Sequence, residues 1–415
     1  MILEEDSLTF TETHAIIYLY GLNIGAKAGR VRERVYLDYA ATTPVDPRVL
    51  ERMLPYFTDT FGNPSSVHWF GQNAESALDE ARELVAGLVN ARPDEVVFTS
   101  CGTESDNLAI RGAALAQRDR TGAQRIITTP VEHHAVLHTI EQLVDVHGFT
   151  IEILPVDKCG RVDPEDLRHA LRDDVALVSV IYANNEIGTI NPMKEIGSIC
   201  RQRGVLLHSD AVQAAAHIKM DLLRDSIDLL AIGAHKFYGP KGVGALIVGP
   251  GIELYPSQTG GGQEAGRRAG TQNIPYIVGL GEALKITVAE MDERNYRNIY
   301  MRDRLIEGVL ARVPRSRLTG HPIERLPNHA SFSFEGIDGN HLLTLLDAAG
   351  FACSSGSACK VGDPKPSAVL EAIGLASSWT MGSLRVTLGS GTTVEHIDGF
   401  IEALPGQVKQ VRDIH

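Results

Sequence analysis

The stretch "VLLHSDAVQAAAHIKMDLLRDSIDLLAIGAHK", residues 205–236, contains the pattern that decides the fold. Two short apolar runs within it, "VLLHSD" and "IDLLAIGAHK", each end in polar residues. Runs of this length that are rich in Leu and Ile predict buried strands. In an open α/β sheet, ligands bind outside the carboxyl ends of the strands, so polar residues at those ends indicate a site.

The same alternation extends along the chain before this stretch. Further strands are predicted by the runs "DEVVFTS", "RIITTP" and "ALVSVIYA". Helices are predicted by the patterns "ESDNLAIRGAALAQ", "VEHHAVLHTIEQLVDVHG" and "MKEIGSICRQRG". Short strands that alternate with helices predict an α/β fold with a mostly parallel sheet and helices on both faces.

The pattern changes after residue 279. Residues 282–313 predict one long, charged amphipathic helix. Beyond it, "HASFSFEG" and "SLRVTLG" alternate like half-buried strands, while "GNHLLTLLDAAG" and "VEHIDGFIEAL" have helical spacing. We therefore predict a large domain over residues 35–290, whose first segment could pack with the small domain, and a smaller α+β domain over residues 291–415.

Residues 1–34 are predicted to be a poorly ordered N-terminal extension. Their apolar part, "AIIYLYGLNIGA" (residues 15–26), is too short to span a bilayer and follows acidic rather than basic residues. We therefore expect neither a membrane span nor a secretory signal.

Composition excludes several classes of protein. An apolar fraction of 43% with 22% charged residues is ordinary for a soluble globular protein. A net charge of -13 argues against direct nucleic-acid binding, which needs basic surfaces. The 5 cysteines are an odd number scattered over 415 residues, which does not match a secreted disulfide framework and favours a reducing cytoplasm.

Five polar clusters follow the predicted strands of the large domain. They are "SCGTES", "EHH", "NNE", "SDAVQ" and "AHK". A single polar residue at a strand end is usually a turn or cap residue. Five clusters in sequence, with a Lys, an Asp and a His among them, are better explained by side chains that converge on one ligand.

The chemistry of these clusters matches the reactive groups of one cofactor. "SCGTE" opens a predicted helix with small residues, which is a cradle for phosphate, and neither a P-loop nor GxGxxG is present. Asp210 could hold a protonated ring nitrogen through a charged hydrogen bond. Lys236 could form a Schiff base with an aldehyde. Phosphate, ring nitrogen and aldehyde are the three handles of pyridoxal 5'-phosphate (PLP).

Nine motifs in order resemble the NifS/IscS-type cysteine desulfurases, which are class-V aminotransferase relatives with the fold-type I PLP fold. They are "YLDYAATTPVDPRV", "FGNPSSVH", "FTSCGTESDNLAI", "EHHAVL", "NNEIGTI", "SDAVQA", "AHKFYGPKGVGAL", "GGGQEAGRRAGTQN" and "SSGSAC". The similarity covers residues 35–404. It implies an aminotransferase-like fold, with a mostly parallel seven-stranded sheet in the large domain and a smaller α+β C-terminal domain.

The resemblance also implies how PLP is held. Lys236 matches the residue that binds PLP covalently and later moves protons at the substrate carbon. Asp210 matches the partner of the ring nitrogen, Gln213 the partner of the ring hydroxyl, and His133 the residue stacked on the ring. The matches to the phosphate site are Gly102, Thr103, His235 and, reaching the partner subunit's phosphate in a homodimer, Thr271.

Substrate and sulfur are assigned by the same similarity. Asn185 and Arg385 match the clamp on the carboxylate of L-cysteine, and a bidentate Arg suits that task. Cys353 and Cys359 could by themselves form a disulfide, a metal site or a reactive pair. The resemblance makes Cys359 the persulfide-forming nucleophile on a long loop and gives Cys353 no role.

Three features need separate interpretations. Many relatives have a hydroxyl residue two places before the cofactor lysine, where this chain has Gly233. His134 and His138 have the spacing of a zinc pair, but HExxH is missing, so we interpret them as ordinary helix residues and predict no metal. Cys101, beside the phosphate turn, is interpreted as a small packing residue.

These inferences predict a cytoplasmic, homodimeric cysteine desulfurase. It converts L-cysteine to L-alanine and passes sulfur from a Cys359 persulfide to an acceptor. An Fe–S scaffold protein, a tRNA-thiolating enzyme, a DNA-phosphorothioation partner and a nitrogenase maturation system all remain open as acceptors. The alternatives are a selenocysteine lyase, another enzyme on the same scaffold such as a decarboxylase or an aminotransferase, and a sulfur-relay subunit without catalysis.

Overall fold

The structure, a computed structural model, describes residues 34–355 and 366–414. The predicted N-terminal extension, apart from its last residue, and the predicted nucleophile Cys359 lie outside these ranges. Within the described ranges, none of the helices combines the length and the apolar character needed to cross a membrane.

The described secondary structure alternates between strands and helices up to residue 248. The strands are β1 (Val35–Tyr36), β2 (Val96–Thr99), β3 (Arg125–Thr128), β4 (Thr150–Ile153), β5 (Val175–Ser179), β6 (Leu206–Asp210), β7 (Leu229–Gly233), β8 (Gly244–Val248), β9 (Ser316–Thr319), β10 (His329–Phe334), β11 (Phe351–Ala352) and β12 (Ser383–Thr387). The α-helices are α1 (Pro47–Met53), α2 (Pro55–Thr58), α3 (Trp69–Leu88), α4 (Gly102–Thr121), α5 (His134–His147), α6 (Pro164–Ala170), α7 (Met193–Arg203), α8 (Leu222–Asp225), α9 (Ile274–Arg312), α10 (Gly339–Ala348), α11 (Ala368–Ala372), α12 (Ser377–Thr380) and α13 (Val394–Ile414).

A seven-stranded sheet forms the centre, in the order β2-β8-β7-β6-β5-β3-β4. The pairs from β7 to β4 are parallel, whereas β8 runs antiparallel to both of its neighbours. Every residue of β5 and β7 is buried, as expected for strands covered on both faces. The α/β architecture and the mostly parallel sheet are therefore confirmed.

Alternate residues of the sheet belong to different hydrophobic cores. Leu177 and Leu229 pack in one core with α4 and α5, while the adjacent Val178 and Leu230 pack in the core on the opposite side. This two-sided burial follows from the two-residue period of a strand. It holds the carboxyl ends of β5, β6 and β7 side by side at one edge of the sheet.

Helix α9 is 39 residues long and begins at Ile274, eight positions before the predicted start. Asn273 caps its N-terminus by accepting a hydrogen bond from the Tyr276 backbone N–H at 3.4 Å. The helix continues without interruption through residue 290, where we had placed a domain boundary. The described residues from 35 onward form one compact unit, and the division at residue 290 stays a prediction.

A second, antiparallel sheet has the order β12-β10-β9, and β1 pairs in parallel with β11. The first described strand therefore lies against residues 351–352, immediately before Cys353. Helix α13 runs on to Ile414, past Pro405, and is longer than predicted. Helix α3 and strands β4 and β8 have no counterpart among our predicted elements.

Candidate active site

A cavity of about 310 Å³ opens at the carboxyl ends of β5, β6 and β7. All the predicted site residues line it except Thr271, which is exposed, and Cys359, which lies outside the described residues. The lining includes Gly102, Thr103, His133, Asn185, Asp210, Gln213, His235, Lys236 and Arg385. The five polar clusters of the sequence therefore converge as predicted.

Lys236 ends a single 3-10 turn that follows β7. Its Nζ donates hydrogen bonds to the carbonyl oxygens of Ala40, at 2.7 Å, and Ala41, at 2.8 Å. Burial and then the charge of Arg385 lower the pKa of Lys236 to about 8, although Asp210 and Asp38 oppose the shift. A lysine with this pKa has a substantial neutral fraction near neutral pH, which is the form that attacks an aldehyde.

Asp210 is the last residue of β6 and is 5% exposed. Its Oδ1 accepts a hydrogen bond from the backbone N–H of Val212 at 2.9 Å. Burial raises the pKa of this carboxyl group, and the charges of His133 and Lys236 lower it. A cation on the ligand would satisfy the buried carboxylate, so Asp210 fits a protonated ring nitrogen.

His133 occupies the N-cap of α5. Its Nδ1 accepts a hydrogen bond from the Ala135 backbone N–H at 3.1 Å, so Nε2 carries the hydrogen of the neutral ring. His133 is exposed at the mouth of the cavity, and partial removal of its ring from water there lowers its pKa. The neutral ring lines the cavity next to Asp210, which suits a planar group stacked between them.

The start of α4 forms a cradle at one end of the cavity. A Cβ atom at Gly102 would lie 2.5 Å from Cγ2 of Val212, so only glycine leaves this space open. The free N–H groups and the dipole of a 20-residue helix favour a phosphate there. Position 233 adds no hydroxyl, yet a Cβ there would make ordinary contacts, 3.4 Å from the Gly102 nitrogen.

Arg385 lies at the other side of the cavity on β12. Its Nη2 donates to Oδ1 of Asp38 at 2.8 Å, and its Nη1 donates to the carbonyl oxygen of Asn185 at 3.0 Å. Its Nε is buried and has no hydrogen-bond partner among the described residues. The guanidinium group is thus held in place and retains capacity to bind a carboxylate.

The neighbouring asparagines have different tasks. The side chain of Asn184 is fully buried: its Oδ1 accepts from the backbone N–H groups of Glu186 and Ile187, and its Nδ2 donates to the carbonyl of Val131. Asn184 therefore shapes the turn, and Asn185 faces the cavity. Gln213 donates from Nε2 to the carbonyl of Ala40 at 2.8 Å.

Two acidic residues of the site were not among our predictions. Asp106 lines the cavity and lies 3.4 Å from Nε2 of the buried His208. Burial and then Asp210 raise its pKa well above the usual value. Because Asp106 is one helical turn after Gly102, that spacing could have identified it. Asp38 carried no such signal, because its partner Arg385 is 347 residues away.

Cys353 follows β11 and packs against the core of the smaller sheet. Burial raises the pKa of its thiol, so it is not a thiolate near neutral pH. The next residue, Ser354, exchanges two backbone hydrogen bonds with Arg385.

His134 and His138 stack with ring centroids 4.9 Å apart. Among the described residues, the group that could offer three ligand atoms to a metal is a different one and consists of Asp106, His133 and Asp210.

The chain is similar to known proteins over most of its length. The family model described as Aminotransferase class-V matches residues 35–400. The chain is 47% identical over 390 residues to cysteine desulfurase IscS of Methanosarcina thermophila, which covers 94% of this chain and 96% of that protein. A solved NifS-like protein has a TM-score of 0.85 and 37% identity, covering 91% of this chain and 100% of its own. The structure of SspA in complex with cysteine has a TM-score of 0.76 and 33% identity, covering 85% and 98% of the two chains.

Proposed function

The chain belongs to the class-V aminotransferase family as a NifS/IscS-type cysteine desulfurase, and we propose that it converts L-cysteine to L-alanine with PLP. The sulfur passes to Cys359 and from there to an acceptor protein. The observation that carries the proposal is the convergence of Lys236, Asp210 and the start of α4 on one cavity that Arg385 also lines.

The residues present fit three polar groups of PLP, namely its phosphate, its ring nitrogen and its aldehyde. Gly102 and Thr103 would hold the phosphate with the N-terminus of α4, and Asp210 would pair with the ring nitrogen. Lys236 would bind the aldehyde carbon, and His133 would stack on the ring. When bound, PLP supplies an electron sink that stabilises negative charge at the substrate α-carbon.

The substrate is bound through its carboxylate. Arg385 and Asn185 would hold this group, and the ion pair with Asp38 at 2.8 Å fixes the plane of the guanidinium. Lys236, with a pKa of about 8, can both accept and return a proton at the α-carbon near neutral pH. The solved relative SspA with bound cysteine supports L-cysteine as the substrate.

Sulfur transfer requires a thiolate close to the substrate sulfur. Ser355 lines the cavity, and four residues of chain reach roughly 14 Å at most, so the chain length permits Cys359 to enter it. The Cys359 thiolate attacks the sulfur of L-cysteine and the carbon–sulfur bond breaks. Cys359 becomes a persulfide, and the three-carbon remainder takes up protons and leaves as L-alanine.

We also propose that the enzyme is a homodimer. Thr271 is exposed on a loop that is tied to the first turn of α4 by an ion pair between Arg268 and Glu104 at 2.8 Å. A second copy could receive Thr271 at its phosphate site. An exposed apolar patch supports this arrangement and consists of Leu54, Phe57, Phe61, Trp69 and Phe70.

The acceptor is proposed to be a soluble protein with a thiol, such as an Fe–S scaffold or a thiolation enzyme. The cysteine content of the sequence favours the cytoplasm, where persulfide transfer between thiols is chemically permitted.

The test of this function compares two cysteine variants. Cys359→Ser should keep the visible absorption of bound PLP but lose L-alanine production, because a hydroxyl is far less nucleophilic than a thiolate. Cys353→Ser should retain most activity, since its thiol has a raised pKa, is protonated near neutral pH and packs against the core of the smaller sheet. Mass spectrometry of wild-type enzyme after L-cysteine should show about 32 Da of added sulfur on the Cys359 peptide. An active Cys359→Ser enzyme, or persulfide on Cys353, would overturn the assignment.

A further inference from the structure

His329, the first residue of β10, is fully buried beside the proposed substrate clamp. Its Nε2 lies 3.1 Å from the backbone carbonyl oxygen of Asn185. Because a carbonyl oxygen can only accept, Nε2 must carry the hydrogen. Nδ1 of the same ring has no hydrogen-bond partner among the described residues. Among those residues, the ring is therefore held by the hydrogen bond from Nε2 to the Asn185 carbonyl.

The Asn185 carbonyl receives a second hydrogen bond, from Nη1 of Arg385 at 3.0 Å. His329 and Arg385 lie on paired strands, with His329 opposite Thr387, two residues from Arg385. The two side chains therefore approach one acceptor from the same small sheet. Asn185 and Arg385 are the two residues assigned to the substrate carboxylate. His329 therefore contacts this clamp through the backbone carbonyl of Asn185.

Packing fixes the orientation of the His329 ring. A Cβ atom at Gly188 would lie 2.8 Å from Cγ and Nδ1 of the ring, so the imidazole packs directly on the Gly188 backbone. Gly188 has φ of 77°, in the left-handed region that glycine adopts most readily. The turn of residues 184–188 thus presents both the carbonyl that His329 binds and the surface against which the ring lies.

We propose that His329 is a positioning residue for L-cysteine binding: by donating to the Asn185 carbonyl, it holds Asn185 and Arg385 in the geometry that receives the substrate carboxylate. This inference rests on the proposed function. If residue 329 had no donor, Arg385 would be the donor left to the Asn185 carbonyl among the described contacts. Its guanidinium group could then turn toward that carbonyl and away from the substrate carboxylate. Burial, followed by the charges of Arg385 and Arg325, holds the pKa of His329 well below its usual value, which keeps the ring a neutral donor.

A matched pair of variants separates the hydrogen bond from the volume of the side chain. The amide nitrogen of His329→Gln can occupy the position of Nε2, whereas His329→Met has a similar length and no donor. His329→Met should raise the KM for L-cysteine about threefold to tenfold, as expected for one lost hydrogen bond, with kcat within about twofold of wild type. His329→Gln should restore KM to within about twofold.

A second experiment tests whether the substrate carboxylate is the group recognised. Binding of L-cysteine and of cysteamine to the PLP-loaded protein is measured by the change in cofactor absorbance. His329→Met should weaken binding of L-cysteine but not of cysteamine, which lacks the carboxylate. Affinity for PLP itself should be unchanged. Ser333→Ala is the control on the same strand, because it removes a buried hydrogen bond to the Trp379 carbonyl (2.6 Å) and its cross-strand partner is Ser383 rather than Arg385; its KM should equal that of wild type.

A wild-type KM in His329→Met, an equal rise in His329→Gln, or equal weakening of cysteamine would overturn the inference while leaving the proposed function intact. A wild-type protein that does not turn over L-cysteine would overturn both. If His329→Met does not fold, His329→Asn is used instead. Its amide is too short to reach the Asn185 carbonyl, so the same rise in KM is expected.

Discussion

At the scale of single residues, the ion pair between Arg385 and Asp38 influences the pKa of Lys236. Arg385 lowers the pKa of Lys236, whereas Asp38 raises it, and burial adds to the effect of Arg385. The same pair that is proposed to prepare the substrate site therefore also adjusts the cofactor lysine. Substitution of either partner should be visible in the pH dependence of PLP attachment.

The rate at which PLP attaches to the cofactor-free protein should increase with pH, with its midpoint at about 8, and level off roughly one pH unit higher. The neutral amine is the nucleophile, and its fraction rises as pH passes the pKa of Lys236. Arg385→Gln should move the midpoint to higher pH because it removes a cation, and Asp38→Asn should move it to lower pH. Stopped-flow absorbance measures the rate of PLP attachment over a pH range of about 6.5 to 9.5, which brackets the lysine pKa. Shifts of equal sign in the two variants would contradict the electrostatic account.

Gly233 stands where the resemblance to cysteine desulfurases leads us to expect a hydroxyl residue. Because a Cβ at position 233 meets its nearest neighbour at 3.4 Å, Gly233→Ser should be accommodated and should place a hydroxyl near the start of α4. We expect PLP affinity to rise about threefold or more, since the new hydrogen bond would go to a charged phosphate. Gly233→Ala, with the same Cβ and no hydroxyl, should bind PLP like wild type. Equal affinities of the Ser and Ala variants, measured by equilibrium dialysis, would show that the hydroxyl does not reach the phosphate.

At the scale of elements, the first turn of α4 depends on the absence of a side chain. A Cβ atom at Gly102 would lie only 2.5 Å from Cγ2 of Val212. The cradle therefore arises where the start of α4 meets the segment that follows β6. Neither element could provide it alone.

Gly102→Ala should weaken PLP binding at least tenfold, because the added methyl group forces α4 and Val212 apart at the phosphate site. Gly87→Ala in α3 is the control, since a Cβ there meets no described atom within 4 Å. It should leave PLP affinity unchanged and raise the free energy of unfolding by about 0.5–1 kcal/mol. Fluorescence titration with PLP and urea unfolding measure the two effects. Unaltered PLP binding in Gly102→Ala would mean that the phosphate lies elsewhere.

At the scale of the whole molecule, the apolar patch of Leu54, Phe57, Phe61, Trp69 and Phe70 indicates where a second copy could bind. Three of its rings pack on one another: the centroids of Trp69 and Phe70 are 5.0 Å apart and those of Phe61 and Phe70 are 5.5 Å apart, and Trp69 is 65% exposed. A contiguous exposed apolar patch is typical of protein–protein interfaces. Thr271 would complete the phosphate site only in such an assembly.

Trp69→Glu should therefore convert a dimer into monomers, because a charge would be buried at the interface without a partner. The monomer should also bind PLP more weakly, having lost Thr271 of the second copy. Tyr296→Glu, at an aromatic residue of α9 that is 81% exposed, should remain dimeric. Sedimentation velocity distinguishes these outcomes, and a monomeric wild-type protein would refute the proposed dimer.

The sequence by itself determined five strands of the central sheet and predicted the edge at which most of the candidate site residues meet. Strand patterns such as "IDLLAIGAHK" and the polar residues that end them are local, because burial on both faces and capping act within a few residues. The nine ordered motifs also identified the family. The early start of α9 was missed because its first residues lie in a Gly- and Pro-containing stretch without a clear helical period.

Only the tertiary structure decided which groups hold the reactive side chains. The Lys236 amine is bound by carbonyl oxygens almost 200 positions earlier in the chain, and the ion pair of Arg385 spans 347 positions. The donor from His329 to the Asn185 carbonyl likewise joins two different parts of the fold. No local periodicity encodes such contacts, because they arise when separate strands and turns pack together and leave buried polar groups that must find partners.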